Sequence, residues 1–217
     1  FESYIKKYVG DKKNIHYLPN SAEKLYKPIL KNKSNMGNCS FLKGFIILFA
    51  GNIGVAQDFD TIIKTVSIVQ DQKKYLDIQW VILGDGREKK RIEQNIKKLG
   101  LTNVVHLLGK QPIEKMPLYF SYADVLLVTL KKDPIFSITI PSKIQSYLAC
   151  AKPIIAALEG EGARIISESG AGLPCKSEDP NALAAAVFEM YNMSLEKRKK
   201  MGKAGRNYFL DNFENDM

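Results

Sequence analysis

Six apolar runs of five to eight residues punctuate the chain, and between them apolar positions recur every third or fourth residue. The runs are "FIILFAG" (45–51), "IQWVILG" (78–84), "NVVHLLG" (103–109), "ADVLLVTL" (123–130), "KPIIAAL" (152–158) and "AGLPC" (171–175). Their near-continuous apolarity predicts strands buried on both faces. In "DFDTIIKTVSIVQ" (58–70), Phe59, Ile62, Ile63, Val66 and Val69 fall on one helical face. A charged helix follows over 87–100, with Gly100 as its stop, and further helices are expected at 113–121, 142–151 and 162–169. Asp179 before Pro180 caps a helix over 179–193, and 194–214 reads as a basic final helix. Strands alternating strictly with helices predict an α/β fold: a Rossmann-like, doubly wound, mostly parallel six-stranded sheet with helices on both faces.

In such sheets ligands sit beyond the carboxyl ends of the strands, so the loops there hold the candidate chemistry. Gly51 and Gly54 in "GNIGVAQD" (51–58) allow close approach to a ligand or serve as a plain strand-exit turn. Asp85 in "GDGREK" (84–89) suits either a ribose hydroxyl or a helix cap. In "TIPSKIQSYLACAKPIIA" (139–156), Ser142 and Gln145 have the spacing of a capping box, which starts a helix at Lys143. Ile144, Tyr147, Leu148 and Ala151 then face the sheet, while Lys143, Ser146 and Cys150 fall elsewhere. Free N–H groups, the positive end of the helix dipole and a lysine form an anion site suited to a diphosphate; the competing reading is a capped surface helix with a solvated lysine.

Composition narrows the classes. At 217 residues and 45% hydrophobic, one α/β domain with appendages fits, and residues 1–44 read as the end of something longer. The longest apolar runs are too short to span a bilayer. Three unpatterned cysteines, Cys39, Cys150 and Cys175, point to reduced thiols in a cytoplasmic setting, and two histidines, His16 and His106, exclude a multi-histidine metal centre on this chain. His106 lies in an apolar run and reads as a strand residue, not a catalytic base. Of the net charge of +9, residues 1–44 carry +6: nine Lys against Glu2, Asp11 and Glu23. With no interleaved aromatics or nucleic-acid motif, nucleic acid is not expected as a partner; a solvated basic face or peripheral contact with an anionic inner membrane surface remains.

The ordered set "GNIG", "VILGDGREKKRIEQNIKKLGLTNVVHLLGKQPIEKMPLYFSYADVLLVTL", "PSKIQSYLACAKPIIA" and "ISESGAGLPCKSEDPNALAAAV" resembles the C-terminal half of family 4 glycosyltransferases of the GT-B fold, in the branch that makes bacterial surface polysaccharides such as capsule and lipopolysaccharide. The resemblance covers about residues 44–214, and "YLPNSAEKLYKP" (17–28) is similar to that branch's interdomain linker. It implies three parts: 1–43 as the linker from an N-terminal acceptor domain, 44–193 as the donor-binding domain, and 194–217 as a helix returning toward the first domain. It also implies retaining transfer, without metal or cofactor, from a nucleotide-sugar, usually UDP-linked, to a glycan or lipid-linked acceptor. By the family pattern Gly51 and Asn52 line the diphosphate loop, Gly84, Asp85 and Gly86 flank the nucleoside, and Gly109, Lys110 and Gln111 approach the base. Ser142 and Lys143 meet the phosphates, Lys143 also steadying the leaving diphosphate. Gln145 or Ser146 reaches the ribose. "GEGA" (160–163) lies toward the donor sugar.

Two glutamates common in the family are replaced here by Ile138 and Ser146, and two of its basic positions by Asn52 and Gln57. A non-catalytic nucleotide-binding or interaction module is therefore the alternative. An NAD-dependent oxidoreductase is disfavoured by the lack of GxGxxG and its following acidic residue.

Overall fold

The computed structural model describes residues 2–9, 15, 19–30 and 43–214. His16, Cys39 and about half of the expected linker lie outside the described residues. Helix α1 (Glu2–Val9) precedes strand β1 (Phe45–Ala50), α2 (Phe59–Gln70), β2 (Ile78–Leu83), α3 (Lys89–Lys98) and β3 (Val105–Gly109). The second half runs α4 (Met116–Tyr122), β4 (Val125–Thr129), α5 (Pro134–Ser137), α6 (Ser142–Ala149), β5 (Ile154–Ala157), α7 (Glu161–Glu168), β6 (Gly172–Cys175), α8 (Pro180–Asn192) and α9 (Leu195–Asn212).

All six strands pair in parallel in the order β3-β2-β1-β4-β5-β6. The β1–β2 register runs from Phe45 opposite Ile78 to Ala50 opposite Leu83, and β1 meets β4 at Ile47 opposite Val125. Progress along the sheet therefore reverses between β1 and β4, which opens a crevice outside their carboxyl ends.

Alternation along each strand feeds two cores, one per face. Phe45, Ile47, Phe49, Trp80, Val125 and Leu127 face α2, α3 and α8, where Ile62, Ile92 and Leu183 cover them. Ile46, Leu48, Val81, Leu126 and Val128 face the other layer, covered by Phe120 of α4, Ile144 and Leu148 of α6, Ile165 of α7 and Phe209 of α9. A central residue such as Ile47 or Leu126 is almost fully buried, so truncating it to alanine costs about 2–5 kcal/mol. Helix α9 lies close over α6 because Gly205 lacks a side chain: a Cβ there would sit 2.8 Å from both Leu148 and Ala171. Arg206 of α9 donates to the Ala149 carbonyl at 3.1 Å, closing the end of α6.

Several local expectations hold and others shift. Asp179 accepts from the N–H groups of Asn181 and Ala182 at 3.1 and 3.0 Å, the cap expected before Pro180. Gly100 ends α3 in the left-handed region. The expected helix at 113–121 begins as a single 3-10 turn over Ile113–Lys115, and α5 forms where no helix was anticipated, capped by Asp133 accepting from Ile135 N–H at 2.9 Å. Cys150 and Cys175 form no disulfide among the described residues, and burial pushes both thiols up to about 12. His106 is a part-buried residue of β3 whose Nε2 lies 2.7 Å from Gln79 Oε1. No helix among the described residues is long and apolar enough to cross a membrane.

Candidate functional site

The loops leaving β1, β2 and β3 form one stacked tier. Gly51 N–H donates to the Leu83 carbonyl at 2.9 Å, Ile53 N–H to the Asp85 carbonyl at 2.8 Å, and Gly84 N–H to the Gly109 carbonyl at 2.9 Å. Lys131 N–H reaches back from β4 to the Ala56 carbonyl at 2.9 Å, so both sides of the reversal are tied. Between them lies an open cleft of about 340 Å³, bounded by Ala50, Gly51, Ser142, Lys143, Ser146 and Tyr147 on the sheet side. Tyr147 fixes that side: its phenol accepts from Ala50 N–H at 3.0 Å and donates to the Ala50 carbonyl at 3.4 Å.

Lys143 enters this cleft from the first turn of α6. Its ammonium stands 5.0 Å from the centre of the Phe49 ring, and a Cβ on Gly51 would lie 2.8 Å from Nζ and 2.5 Å from Cε. Gly51 also has φ 142, outside the range that side-chain-bearing residues readily adopt, so the backbone there favours glycine, while the space above it is filled by the flexible end of Lys143. Among the described residues Lys143 has no ion-pair partner, and burial lowers its pKa to about 8. An unpaired cation at a helix N-terminus is a site that an anion completes.

The expected capping box is not made. Pro141 is the N-cap, α6 begins at Ser142, and no side chain caps it. Gln145 is instead buried, with Nε2 donating to the Asn20 carbonyl at 2.7 Å, so it anchors a distant segment and does not line the cleft. Ala151 lies beyond the end of α6 in the left-handed region, not on its sheet-facing side.

The anchored segment forms the opposite wall. Ser21, Glu23 and Tyr26 line the cleft, and the Tyr26 ring stacks on Phe120 at 5.9 Å between centroids. Burial raises the Tyr26 pKa, helped by the charge of Glu23, while a hydrogen bond to the Ser146 hydroxyl opposes the shift.

Of the anticipated residues, Gly51, Gln111, Ser142, Lys143 and Ser146 meet at this cleft. Gln111 is held at its rim, donating to the Leu108 carbonyl at 2.7 Å and accepting from the Tyr119 hydroxyl at 2.9 Å. Asn52, Gly54, Gly84, Gly86, Gly109 and Lys110 belong to the adjoining tier and not to the cleft lining. Gly54 N–H is taken by the Gln57 side chain at 3.2 Å. Exposed Asp85 accepts from Gly86 N–H at 2.8 Å and pairs with Lys89 at 3.1 Å; those contacts, the backbone one first, lower its pKa. It stiffens its own loop, since Glu88 is the N-cap of α3. The wall of Ser21, Glu23 and Tyr26 was missed, because only long-range contacts reveal it.

A doubly wound parallel sheet with an open cleft at its strand-order reversal is a Rossmann-like α/β domain. The chain belongs to the family described as glycosyl transferases group 1, whose model matches residues 37–208, and it is a C-terminal domain of the GT-B type. The probable glycosyltransferase WbjE of Pseudomonas aeruginosa is 29% identical over 201 residues, which cover 89% of this chain and 48% of WbjE. The chain spans about half the length of that relative or less of others it matches. Among solved structures, a Staphylococcus aureus TarM mutant in complex with fondaparinux, alpha-GlcNAc-glycerol and UDP superposes with a TM-score of 0.76 at 15% identity, covering 98% of this chain and 39% of TarM. The C-terminal domain of the group 1 glycosyl transferase LpcC from Francisella tularensis gives 0.68 at 19% identity, covering 87% of this chain and 95% of that domain.

Proposed function

We propose that this chain binds the nucleotide-sugar donor, a UDP-sugar, for a retaining, metal-independent glycosyl transfer that builds a surface polysaccharide. The observation that carries the reading is the unpaired Lys143 ammonium lying over Gly51 in the cleft at the strand-order reversal. A donor diphosphate completes that site. As the glycosidic bond breaks, negative charge grows on the departing diphosphate, and the same ammonium stabilises it. The UDP in the TarM complex supports uridine as the base to test first.

The chain spans about half of WbjE, so we assign the glycan or lipid-linked acceptor, and the residues that activate it, to a longer protein containing this domain. In that protein residues 1–43 serve as the linker and α9 with its following residues leads back toward the acceptor domain. The basic residues near the start suit a peripheral place on an anionic membrane from the cytoplasmic side.

Calorimetric titration of the chain with UDP, GDP and NAD, with and without a chelator, tests the reading. Saturable, uridine-selective binding that ignores the chelator is expected. Preference for NAD, or no binding to any nucleotide, would overturn it.

A further inference from the structure

The Lys143 amine is placed to react as well as to bind. It lines an open cleft of about 340 Å³, so small molecules in solution reach it. It lies over carbon and backbone, 5.0 Å from the centre of the Phe49 ring and against Gly51, and among the described residues no carboxylate holds it as an ammonium. Other lysines are held in place: Lys152 by two carbonyls at 2.8 Å, Lys89 by Asp85 at 3.1 Å and Lys132 by Glu159 at 3.4 Å. The other titratable groups on the cleft are Glu23, Tyr26 and Tyr147. Tyr147 is committed to the Ala50 backbone, Tyr26 hydrogen-bonds Ser146 while stacked on Phe120, and the charge of exposed Glu23 is felt at Tyr26. Burial lowers the Lys143 pKa to about 8. At that pH about half of this amine is free base, against on the order of 1 in 300 for an ordinary lysine.

A nucleophilic amine beside an anion-binding turn selects a particular kind of electrophile. No side chain caps α6, which leaves its first N–H groups and the Ser142 hydroxyl at the cleft next to Lys143. A compound that joins a phosphate to an activated carbonyl seats the phosphate on that turn and brings its acyl carbon to Nζ. We propose that Lys143 is a site of direct acylation by acyl phosphates, and that acylation switches the cleft off. The lone pair of the free-base nitrogen forms a bond to the acyl carbon. The bond from that carbon to the phosphate oxygen breaks, phosphate leaves with the electron pair, and the proton lost by nitrogen passes to the departing phosphate or to water. The product is a neutral amide, which has no positive charge to offer a diphosphate. The switch rests on the donor-site reading above; the acylation does not. A bound diphosphate holds Lys143 as the ammonium, which has no lone pair, so donor and acyl phosphate exclude one another.

The test is mass spectrometry of the full chain incubated with acetyl phosphate at about pH 8, with acetylation followed lysine by lysine. Lys143 should be acetylated about tenfold or more faster than exposed lysines such as Lys64 and Lys203. Saturating UDP should slow that label alone by about tenfold, and the labelled chain should lose UDP binding in proportion to acetylation at Lys143. In denaturing urea Lys143 should fall back among the other lysines, because its reactivity belongs to the fold. The N-hydroxysuccinimide ester of acetic acid, an acyl donor without phosphate, should favour Lys143 less than acetyl phosphate does. Labelling of Lys143 no faster than that of exposed lysines removes the reactive amine, and equal preference from the two acyl donors removes the phosphate seat; either overturns the proposal. A chain that binds UDP equally well before and after full acetylation of Lys143 overturns the switch. If the parent chain binds no UDP while acetyl phosphate still marks Lys143 first, the donor-site reading falls and the acylation site stands.

Discussion

Lysines stand at both ends of α6, and they are used in opposite ways. Lys152, just past the last turn, donates from Nζ to the carbonyls of Ser121 and Ala123, each at 2.8 Å. Those carbonyls come from the junction between α4 and β4, so one ammonium ties two layers of the fold together. Lys143, in the first turn, has among the described residues the face of Phe49 beneath it and no ion pair, and stands at the positive end of the helix dipole. For stability alone the first lysine is well placed and the second is not. One cation is completed by the chain, and the other has no ion-pair partner among the described residues.

The second cleft on the same edge of the sheet falls mostly on the first side of that divide. It is about 290 Å³ and is lined in part by Lys132, Asp133 and Glu159. There Lys132 pairs with Glu159 at 3.4 Å, Ser177 donates to the same carboxylate at 3.1 Å, and Asp133 caps α5. Size alone does not distinguish the two clefts. Lys132, Asp133 and Glu159 in this cleft are partnered within the chain, while the Lys131 side chain has no partner among the described residues.

The largest effect should come from breaking the structural end. Lys152→Met removes the donor shared by two part-buried carbonyls, so a loss of about 2–3 kcal/mol in stability is expected, read as a lower denaturation midpoint. UDP affinity should stay within about twofold of the parent. A variant that keeps its stability but loses UDP would erase the distinction between the two ends. Lys143→Ala should do the reverse, weakening UDP binding about tenfold or more through loss of a charge-assisted contact of roughly 1.5–3 kcal/mol. Its melting temperature at neutral pH should not fall, because the alanine removes a desolvated, unpaired charge. Unchanged affinity in calorimetry would sink Lys143 as the phosphate cation.

How much of this was legible beforehand follows from the range of the contacts. Strands β1, β2 and β4 were visible because both faces are buried, which leaves an uninterrupted apolar run in the chain. The cap at Asp179 was visible because its partners lie two and three residues away. The Ser142–Gln145 box has equally good local spacing, yet a partner 125 residues away takes the Gln145 side chain. The same long-range packing brings Tyr26 onto Phe120 and Glu23 into the cleft, where no local pattern announces them. Lys143 was legible as a residue at a helix start, but not as an unpaired one. That property depends on what surrounds it in space.

The smallest predicted effect is also the one that reads both sides of the Lys143 balance. Burial lowers its pKa from 10.5 to about 8, so the unfolded chain holds this proton over a range where the folded chain has released it. Stability attributable to this group therefore rises as pH goes from about 8 toward 10.5, since the penalty for burying the charge disappears. Ligand affinity must move the other way, because a diphosphate selects the protonated form. With a folded pKa of about 8 that a bound diphosphate raises, UDP affinity should fall by up to about fivefold between pH 8 and pH 9, with proton uptake on binding. Lys143→Arg keeps its charge throughout this range and should flatten the decline. A parent chain whose UDP affinity is level across the same interval would show that the ammonium is not discharged in the empty cleft, and the contrast between the two ends of α6 would then rest on contacts alone.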